Sequence, residues 1–227
     1  MEWYHTILPR INRFLPTQTI LEIACGFGRW SNYLVNYCEE LLLVDFTKEC
    51  VDSCRKRFTS ESKVKVFQND GLTLGMAEDS SVDFVFSFDS LVHCDAYIIE
   101  SYLREISRVL KPDGTVFLHH SNLASYKTNY PRALKRALYT LGLLPHEMFR
   151  ASDVSATIFK KLTEQSGLSC VNQETVTWTI KRFLLDCFST TSKSGGKWDK
   201  PYKLFENRNF YHEIHNASLL SKLYDRC

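Results

Sequence analysis

No stretch of this chain is apolar enough to cross a bilayer. The longest runs, such as Leu41 to Val44, fall far short of the roughly 20 residues a spanning helix needs. Charge of one sign is not in excess either: 28 Lys and Arg against 26 Asp and Glu leave a formal net charge of +2. That balance gives no sign of a nucleic-acid groove or a membrane-binding face. The opening Met1-Glu2-Trp3-Tyr4-His5 lacks a basic segment and a following apolar core, so secretion is not expected. Internal repeats and low-complexity tracts are also missing. Eight cysteines are present, at 25, 38, 50, 54, 94, 170, 187 and 227, but no spacing repeats. Without an export signal they read as reduced thiols of a cytoplasmic protein. Cys50 and Cys54 lie four apart, yet a four-coordinate zinc site needs a second pair and none is near, so they read as packing residues of a helix. What is there is an ordinary globular composition, 44% apolar and 24% charged over 227 residues, which suits a single domain spanning 1–227.

From Thr19 to about Cys170, short apolar runs alternate with amphipathic segments. The run Thr19 to Ala24 reads as a buried strand, followed by a glycine turn and a helix to about Tyr37. Leu41 to Asp45 is a second strand, Lys48 to Phe58 a helix, Val64 to Phe67 a weaker third strand and Val82 to Phe88 a fourth. Apolar residues at three- and four-residue steps predict a helix over Tyr97 to Leu110, and Lys111-Pro112-Asp113-Gly114 a turn before a fifth strand, Thr115 to His119. This repetition predicts a doubly wound parallel α/β sheet covered on both faces, with ligands bound beyond the carboxyl ends of its strands. A helix is expected in 1–18. Tyr130 to Gly142 reads as a basic amphipathic helix (Arg132, Lys135, Arg136) in an insert, 123–150, that can serve as a lid or simply as a solvated face. Ser169 to Trp178 and Leu184 to Thr191 look like a closing antiparallel pair. The tail, 198–227, ends in a helix predicted over Phe210 to Tyr224.

The first chemical feature is Glu22-Ile23-Ala24-Cys25-Gly26-Phe27-Gly28-Arg29, a strand running into a turn with glycines two apart and then a helix. Glycines let the backbone approach a ligand, and the helix start offers N–H donors. A dinucleotide fingerprint asks for a third glycine at position 31, where this chain has Ser31. Asp45 ends the second strand, 45 − 28 = 17 residues after the second glycine, where a carboxylate accepts hydrogen bonds from ribose hydroxyls. Asn69-Asp70-Gly71 follows the third strand, where an acid can reach an adenine amino group.

These features together resemble the class I S-adenosylmethionine-dependent methyltransferases over roughly residues 19 to 191. The glycine loop, Asp45, the Asn69-Asp70-Gly71 loop, Asp83 and the turn Leu110 to Gly114 carry the resemblance. It implies a Rossmann-like seven-stranded sheet with an antiparallel last strand, and S-adenosylmethionine as cofactor. The implied cofactor-binding set is Glu22, Ala24, Gly26, Gly28, Arg29, Asp45, Phe46, Asp70, Gly71, Leu72 and Phe88. Within it, Gly26 and Gly28 approach the methionine part, Asp45 the ribose, and Asp70 with Leu72 the adenine. Ala24 stands where glycine is commoner.

On the acceptor side the fourth strand runs into Phe88-Asp89-Ser90-Leu91-Val92-His93 and the fifth into His119-His120-Ser121-Asn122. Transfer to a hydroxyl requires removal of its proton, work suited to a neutral imidazole. The expected catalytic residues are therefore His93 and His120, with Asp89 orienting the base or, with Asn122, holding a Mg²⁺ that acidifies the hydroxyl. Alternating strand faces keep His119 and His120 from both reaching the substrate, and His120 is preferred as nearer the open end. The Asn/Asp-Pro-Pro-Tyr segment of amino-group methyltransferases is absent, and Asp89 with His93 is similar to metal-assisted sugar O-methyltransferases. The expected acceptor is thus a sugar, glycan or other small molecule, with no nucleic-acid or membrane partner. Alternatives are a phenolic or carboxylate acceptor, or a cofactor-binding protein without turnover. Tyr126, Tyr130, Arg132, Lys135, Arg136, Tyr139, Trp198, Tyr202 and Tyr211 are expected to cover the acceptor, or equally to form a homodimer interface. Asp153 or Ser152 is expected to cap a helix over Val154 to Gln165. Glu174 is expected at the surface of an edge strand, with a metal or sugar contact as the other reading.

Overall fold

Period-two alternation along the strands sorts the apolar side chains into two cores. The computed structural model describes residues 2–128, 130–144, 149–178 and 183–224. In it Leu21, Val85, Val116 and Leu118 enter one core, while Ile20, Phe84, Phe86 and Phe117 enter the other. The strands are β1 (Thr17–Ile23), β2 (Cys38–Asp45), β3 (Val64–Gln68), β4 (Val82–Ser87), β5 (Leu110–Ser121), β6 (Leu168–Val176), β7 (Asp186–Lys193) and β8 (Lys203–Asn207). They form one sheet in the order β3-β2-β1-β4-β5-β7-β6-β8. The neighbours from β3 to β5 pair in parallel, and β7 runs antiparallel to both β5 and β6. The sheet therefore has eight strands rather than the expected seven. The extra one, β8, pairs in parallel with β6 inside the segment read as a helical C-terminal tail.

The residues 2–14 wind through short helical turns, including α1 (Leu8–Ile11), and bury Trp3, Ile7 and Ile11. Next come α2 (Ser31–Leu34), α3 (Lys48–Arg57), α4 (Ala96–Val109), α5 (Arg132–Thr140), α6 (Ala156–Gln165) and α7 (Phe210–Tyr224). The first core lies under α4 and α6, whose Ile99, Leu103, Ile106 and Phe159 are fully buried. Each such side chain contributes about 1.5–3 kcal/mol over its exposed state. The second core lies under the N-terminal segment, α2, α3 and α7, with Trp3, Trp30, Leu34, Phe58 and Phe210.

Several expectations are corrected. The turn before β5 is part of that strand: Val82 pairs with Leu110 and Phe84 with Thr115, so residues 111–114 bulge out. A Cβ on Gly114 would sit 2.7 Å from the Leu110 side chain, which explains the glycine. Helix α6 starts at Ala156, capped by Ser155, whose hydroxyl accepts the Ile158 N–H at 3.2 Å. Asp153 instead accepts the Ala96 N–H at the start of α4. Glu174 is not on an edge, because β8 covers β6; Arg10 donates Nε to Glu174 Oε2 at 2.6 Å and Asn207 donates to Oε1 at 2.9 Å. No helix among the described residues is long and apolar enough to cross a membrane.

Candidate active site

The carboxyl ends of β1, β2, β3 and β4 open onto one cleft of about 560 Å³. Its wall contains Ala24, Gly26, Asp45, Phe46, Asp70, Gly71, Leu72, Asp89 and His93 from the sequence reading. Asp45 is the hinge of the site. Its Oδ2 accepts the Gly26 N–H at 2.8 Å and its Oδ1 the Thr47 N–H at 2.8 Å. Two lone-pair positions on this carboxylate remain for hydroxyls of a ligand. Space for that ligand exists beside the loop, since nothing lies within 4 Å of where a Gly26 Cβ would stand. The Phe46 ring, 65% exposed, flanks Gly71 and offers an apolar wall. Asp70 Oδ1 accepts the Leu72 and Thr73 N–H groups at 2.8 and 2.7 Å. Those bonds, led by the one from Leu72, hold the Asp70 carboxyl below its ordinary range.

Other members of the expected cofactor set lie elsewhere. Gly28 faces helix α3: its φ is +77°, and a Cβ there would meet the Phe58 ring at 3.0 Å and Cys54 Sγ at 3.2 Å. Packing against α3 by itself accounts for a glycine here, and Gly28 is not part of the cleft wall. Glu22 is buried behind the loop, where Ser31 donates its hydroxyl to Glu22 Oε2 at 2.5 Å. The residue standing in for a third glycine thus has its own role. Burial, partly offset by the Ser31 hydrogen bond, pushes the Glu22 carboxyl up to about 8. Arg29 pairs with Glu2 and stacks on Trp30 at 4.2 Å, in a neighbouring concavity. Phe88 is buried between Trp30 and His119 rather than in the cleft wall.

The acceptor side is reorganised most. His120 points into the first core, fully buried, with its ring stacked on Phe159 at 4.0 Å and 7°. Its Nε2 pairs with Ser189 Oγ at 2.7 Å and its Nδ1 with the Ser121 carbonyl at 2.8 Å. Burial drives its pKa down to about 3. With both nitrogens engaged and no access to the cleft, His120 is not the base. Asn122 is equally committed: it donates to the Leu184 carbonyl at 2.7 Å and accepts the Ala156 N–H at 2.9 Å and the Ser125 hydroxyl at 2.7 Å. It cannot join Asp89 as a metal ligand, and no group of three His, Cys, Asp or Glu side chains suited to a metal ion occurs among the described residues.

His93 is the histidine that reaches the cleft. It is exposed, and its Nδ1 bonds to the Phe149 carbonyl, which accepts only an N–H. That fixes the neutral ring with Nδ1 protonated and presents Nε2 as an acceptor. Three of the four non-glycine residues with positive φ among the described residues gather here: Ala24 (+56°), Asp89 (+62°) and Phe149 (+54°). Such conformations cost about 1–3 kcal/mol each and persist only where the surrounding structure holds them. The sequence reading missed Thr47, Cys50, Ser90, Leu91, Cys94, Tyr97, Ile98 and Tyr102 as cleft residues. The available signal was their position just after strand ends or in the first two turns of α3 and α4.

The expected cover is split. Tyr126 accepts the Leu184 N–H at 2.9 Å, and with Lys135 and Tyr139 it lines a small separate hollow. Parts of the insert, 129 and 145–148, and the last three residues of the tail lie outside the described residues, as does the side chain of Arg132. Trp198 packs on Phe14 at 5.1 Å, at the amino end of β1, and Tyr202 donates to Gln173 at 2.7 Å. Neither lines the cleft. Tyr211 does sit at the carboxyl side, where Glu2, His5, Trp178, Tyr211, Ile214 and His215 enclose a pocket of about 350 Å³.

Residues 20–114 match the family profile described as a methyltransferase domain. An uncharacterized methyltransferase of Schizosaccharomyces pombe is 26% identical over 119 residues, 49% of this chain and 42% of its own length. Phosphoethanolamine N-methyltransferase 1 of Triticum aestivum is 29% identical over 125 residues, 50% of this chain and 24% of its own. The chain thus spans less than half the length of these relatives. A TehB-like SAM-dependent methyltransferase from Corynebacterium glutamicum superposes with a TM-score of 0.57 at 18% identity, covering 81% of this chain and 84% of that one. Residues 20–114 are thus similar to a methyltransferase domain, and the chain shares its fold with solved S-adenosylmethionine-dependent methyltransferases.

Proposed function

We propose that this protein is an S-adenosylmethionine-dependent methyltransferase acting on a hydroxyl of a small ring-bearing acceptor, a sugar or glycan first. The cofactor assignment is supported by Asp45, poised between the Gly26 and Thr47 amides beside open space at Gly26. Asp45 would hold the ribose, Phe46 and Leu72 would flank the adenine, and the loop at Ala24 to Gly26 would receive the methionine part. When bound, the sulfonium supplies an electrophilic methyl group. The single observation that carries hydroxyl chemistry is the tautomer of His93. With Nδ1–H given to the Phe149 carbonyl, Nε2 is left to accept the acceptor's proton as its oxygen attacks. Asp89, in the same wall, would orient the hydroxyl or balance the imidazolium that forms. No protein nucleophile is needed, so Cys94 beside His93 has no covalent role.

A ring-bearing acceptor is favoured by the aromatic pocket of Trp178, Tyr211 and His215, which lies next to Phe88 through Trp178 at a ring distance of 6.3 Å. Sugar and aryl faces stack on such side chains. The net charge of +2 favours a small acceptor over nucleic acid. The test is a screen with methyl-labelled cofactor over sugars, oligosaccharides, phenols, small amines and RNA. Label on a sugar or other small hydroxyl acceptor is the expected result. Label only on amines, the acceptor type in the name of the wheat relative, or only on RNA overturns the hydroxyl assignment.

A further inference from the structure

Resting on the cofactor cleft described above, we propose that His119 is a positioning residue that fixes Asp89 in the cleft wall through the main chain. It is fully buried, walled by Phe88, Phe188 and Trp178 at ring distances of 4.7, 4.8 and 6.1 Å. Its Nδ1 accepts the Asp89 main-chain N–H at 3.1 Å. A nitrogen that accepts carries no proton, so the neutral ring bears its hydrogen on Nε2. That atom has no hydrogen-bond partner, but it lies 3.8 Å from Asp186 Oδ1, a carboxylate only 1% exposed. Asp186 is held in turn by Arg150, which donates Nε to Oδ1 at 2.7 Å and Nη2 to Oδ2 at 3.1 Å.

The order of the chain gives this series its use. Asp89 sits at φ +62°, a conformation that costs a residue with a Cβ about 1–2 kcal/mol, and its N–H has no strand partner to hold it there. The imidazole supplies that partner, and the Arg150–Asp186 pair sets the tautomer able to do so. Arg150 directly follows Phe149, whose carbonyl sets the tautomer of His93. The short stretch 149–151 therefore fixes two imidazoles of opposite tautomer: His93 with Nε2 accepting in the cleft, and His119 with Nδ1 accepting behind it. The stretch itself is tied down by Ala151, which donates to the Val92 carbonyl at 2.9 Å and accepts the Ser121 hydroxyl at 2.7 Å. Carboxylates and carbonyls that orient one ring nitrogen commonly decide what the other can do.

Two readouts test this on the full chain. The first needs no ligand: ¹⁵N histidine spectra should show His119 as the Nε2–H tautomer, and the Asp89 amide should be strongly protected from hydrogen exchange. A Nδ1-protonated His119, or an Asp89 amide that exchanges as fast as an exposed loop, overturns the proposal whatever the protein's activity. The second is titration with S-adenosylhomocysteine. His119→Phe keeps the ring among its aromatic neighbours and removes the acceptor. It should weaken binding about tenfold, the worth of one neutral hydrogen bond. His119→Asn returns an acceptor atom near the Nδ1 position and should restore it. In the Asp89→Gly background, where positive φ costs nothing, His119→Phe should have little further effect. An equal loss in both backgrounds, or no rescue by asparagine, makes His119 a packing residue only. If the wild-type chain does not bind this ligand, the cofactor assignment fails, and the tautomer and exchange data alone decide the role of His119.

Discussion

The two halves of the sheet use their polar strand ends in different ways. Between β1 and β4 the polar groups just at or beyond the strand ends face outward into the cleft: Asp45 and Asp70 line it, held by backbone amides and a hydroxyl of nearby loops, and so does Asp89, whose main-chain N–H donates to His119. Between β5 and β7 the polar groups face inward: His119, His120, Ser121, Asn122 and Asp186 are all buried and bonded to one another's surroundings. The first half is therefore a binding surface, and the second is scaffolding that holds the surface in shape. A polar residue at a strand end is evidence of a ligand only where its hydrogen bonds leave capacity turned toward space.

The sharpest way to break this contrast is to exchange the roles of the histidines. His93→Ala should lower turnover by about 10²–10⁴-fold, the usual worth of a general base, while leaving cofactor affinity little changed. His120→Ala should instead lower the melting temperature, because it empties a stacked, doubly hydrogen-bonded site under α6. A selective loss of turnover in His120→Ala, at unchanged stability, would put the base back on β5.

A smaller effect is expected at the glycine loop. Gly28→Ala places a Cβ 3.0 Å from Phe58 at a φ of +77°, and should cost about 1–3 kcal/mol of stability in denaturant unfolding. If it cost affinity for the cofactor instead, with stability unchanged, Gly28 would belong to the cleft after all.

The pH dependence of stability separates the halves most finely. Glu22 in the folded protein titrates near 8, above the 4.5 of the unfolded chain, chiefly because it is buried. Its stabilisation is full below 4.5 and is lost as pH rises through 8. His120 titrates near 3 when folded, below the ordinary 6.5, again because of burial. Its contribution is present above 6.5 and is lost as pH falls toward 3. Each group can tilt the curve by at most about 1.4 kcal/mol per pH unit. Glu22→Gln should flatten the alkaline limb and His120→Asn the acid limb, measured as unfolding midpoints from pH 4 to pH 9.

The strands, the glycine loop and the acids after β2 and β3 were legible because each is a local pattern: an apolar run, a turn, then a polar residue at a fixed place. The helix over Phe210 to Tyr224 was legible for the same reason. The hidden parts depend on partners far along the chain. Gly28 is set by Phe58, thirty residues later; Asn122 by Leu184 and Ala156; Glu174 by Arg10. Alternation showed that His119 and His120 point to opposite faces, but not which face holds α6. Strand β8 has Lys203 to Glu206 exposed, so it shows no alternation of apolar and polar residues to mark it.

The central claim is that the ends of β1 to β4 form a site for S-adenosylmethionine organised by Asp45. Calorimetric titration with S-adenosylhomocysteine, on the wild type and on Asp45→Asn, tests it most directly. The account predicts saturable one-to-one binding by the wild type and an affinity about 10- to 100-fold weaker in the variant, from the loss of charge-assisted hydrogen bonds. Folded wild-type protein that takes up no ligand at millimolar concentration, or a variant that binds as tightly as the wild type, would contradict it.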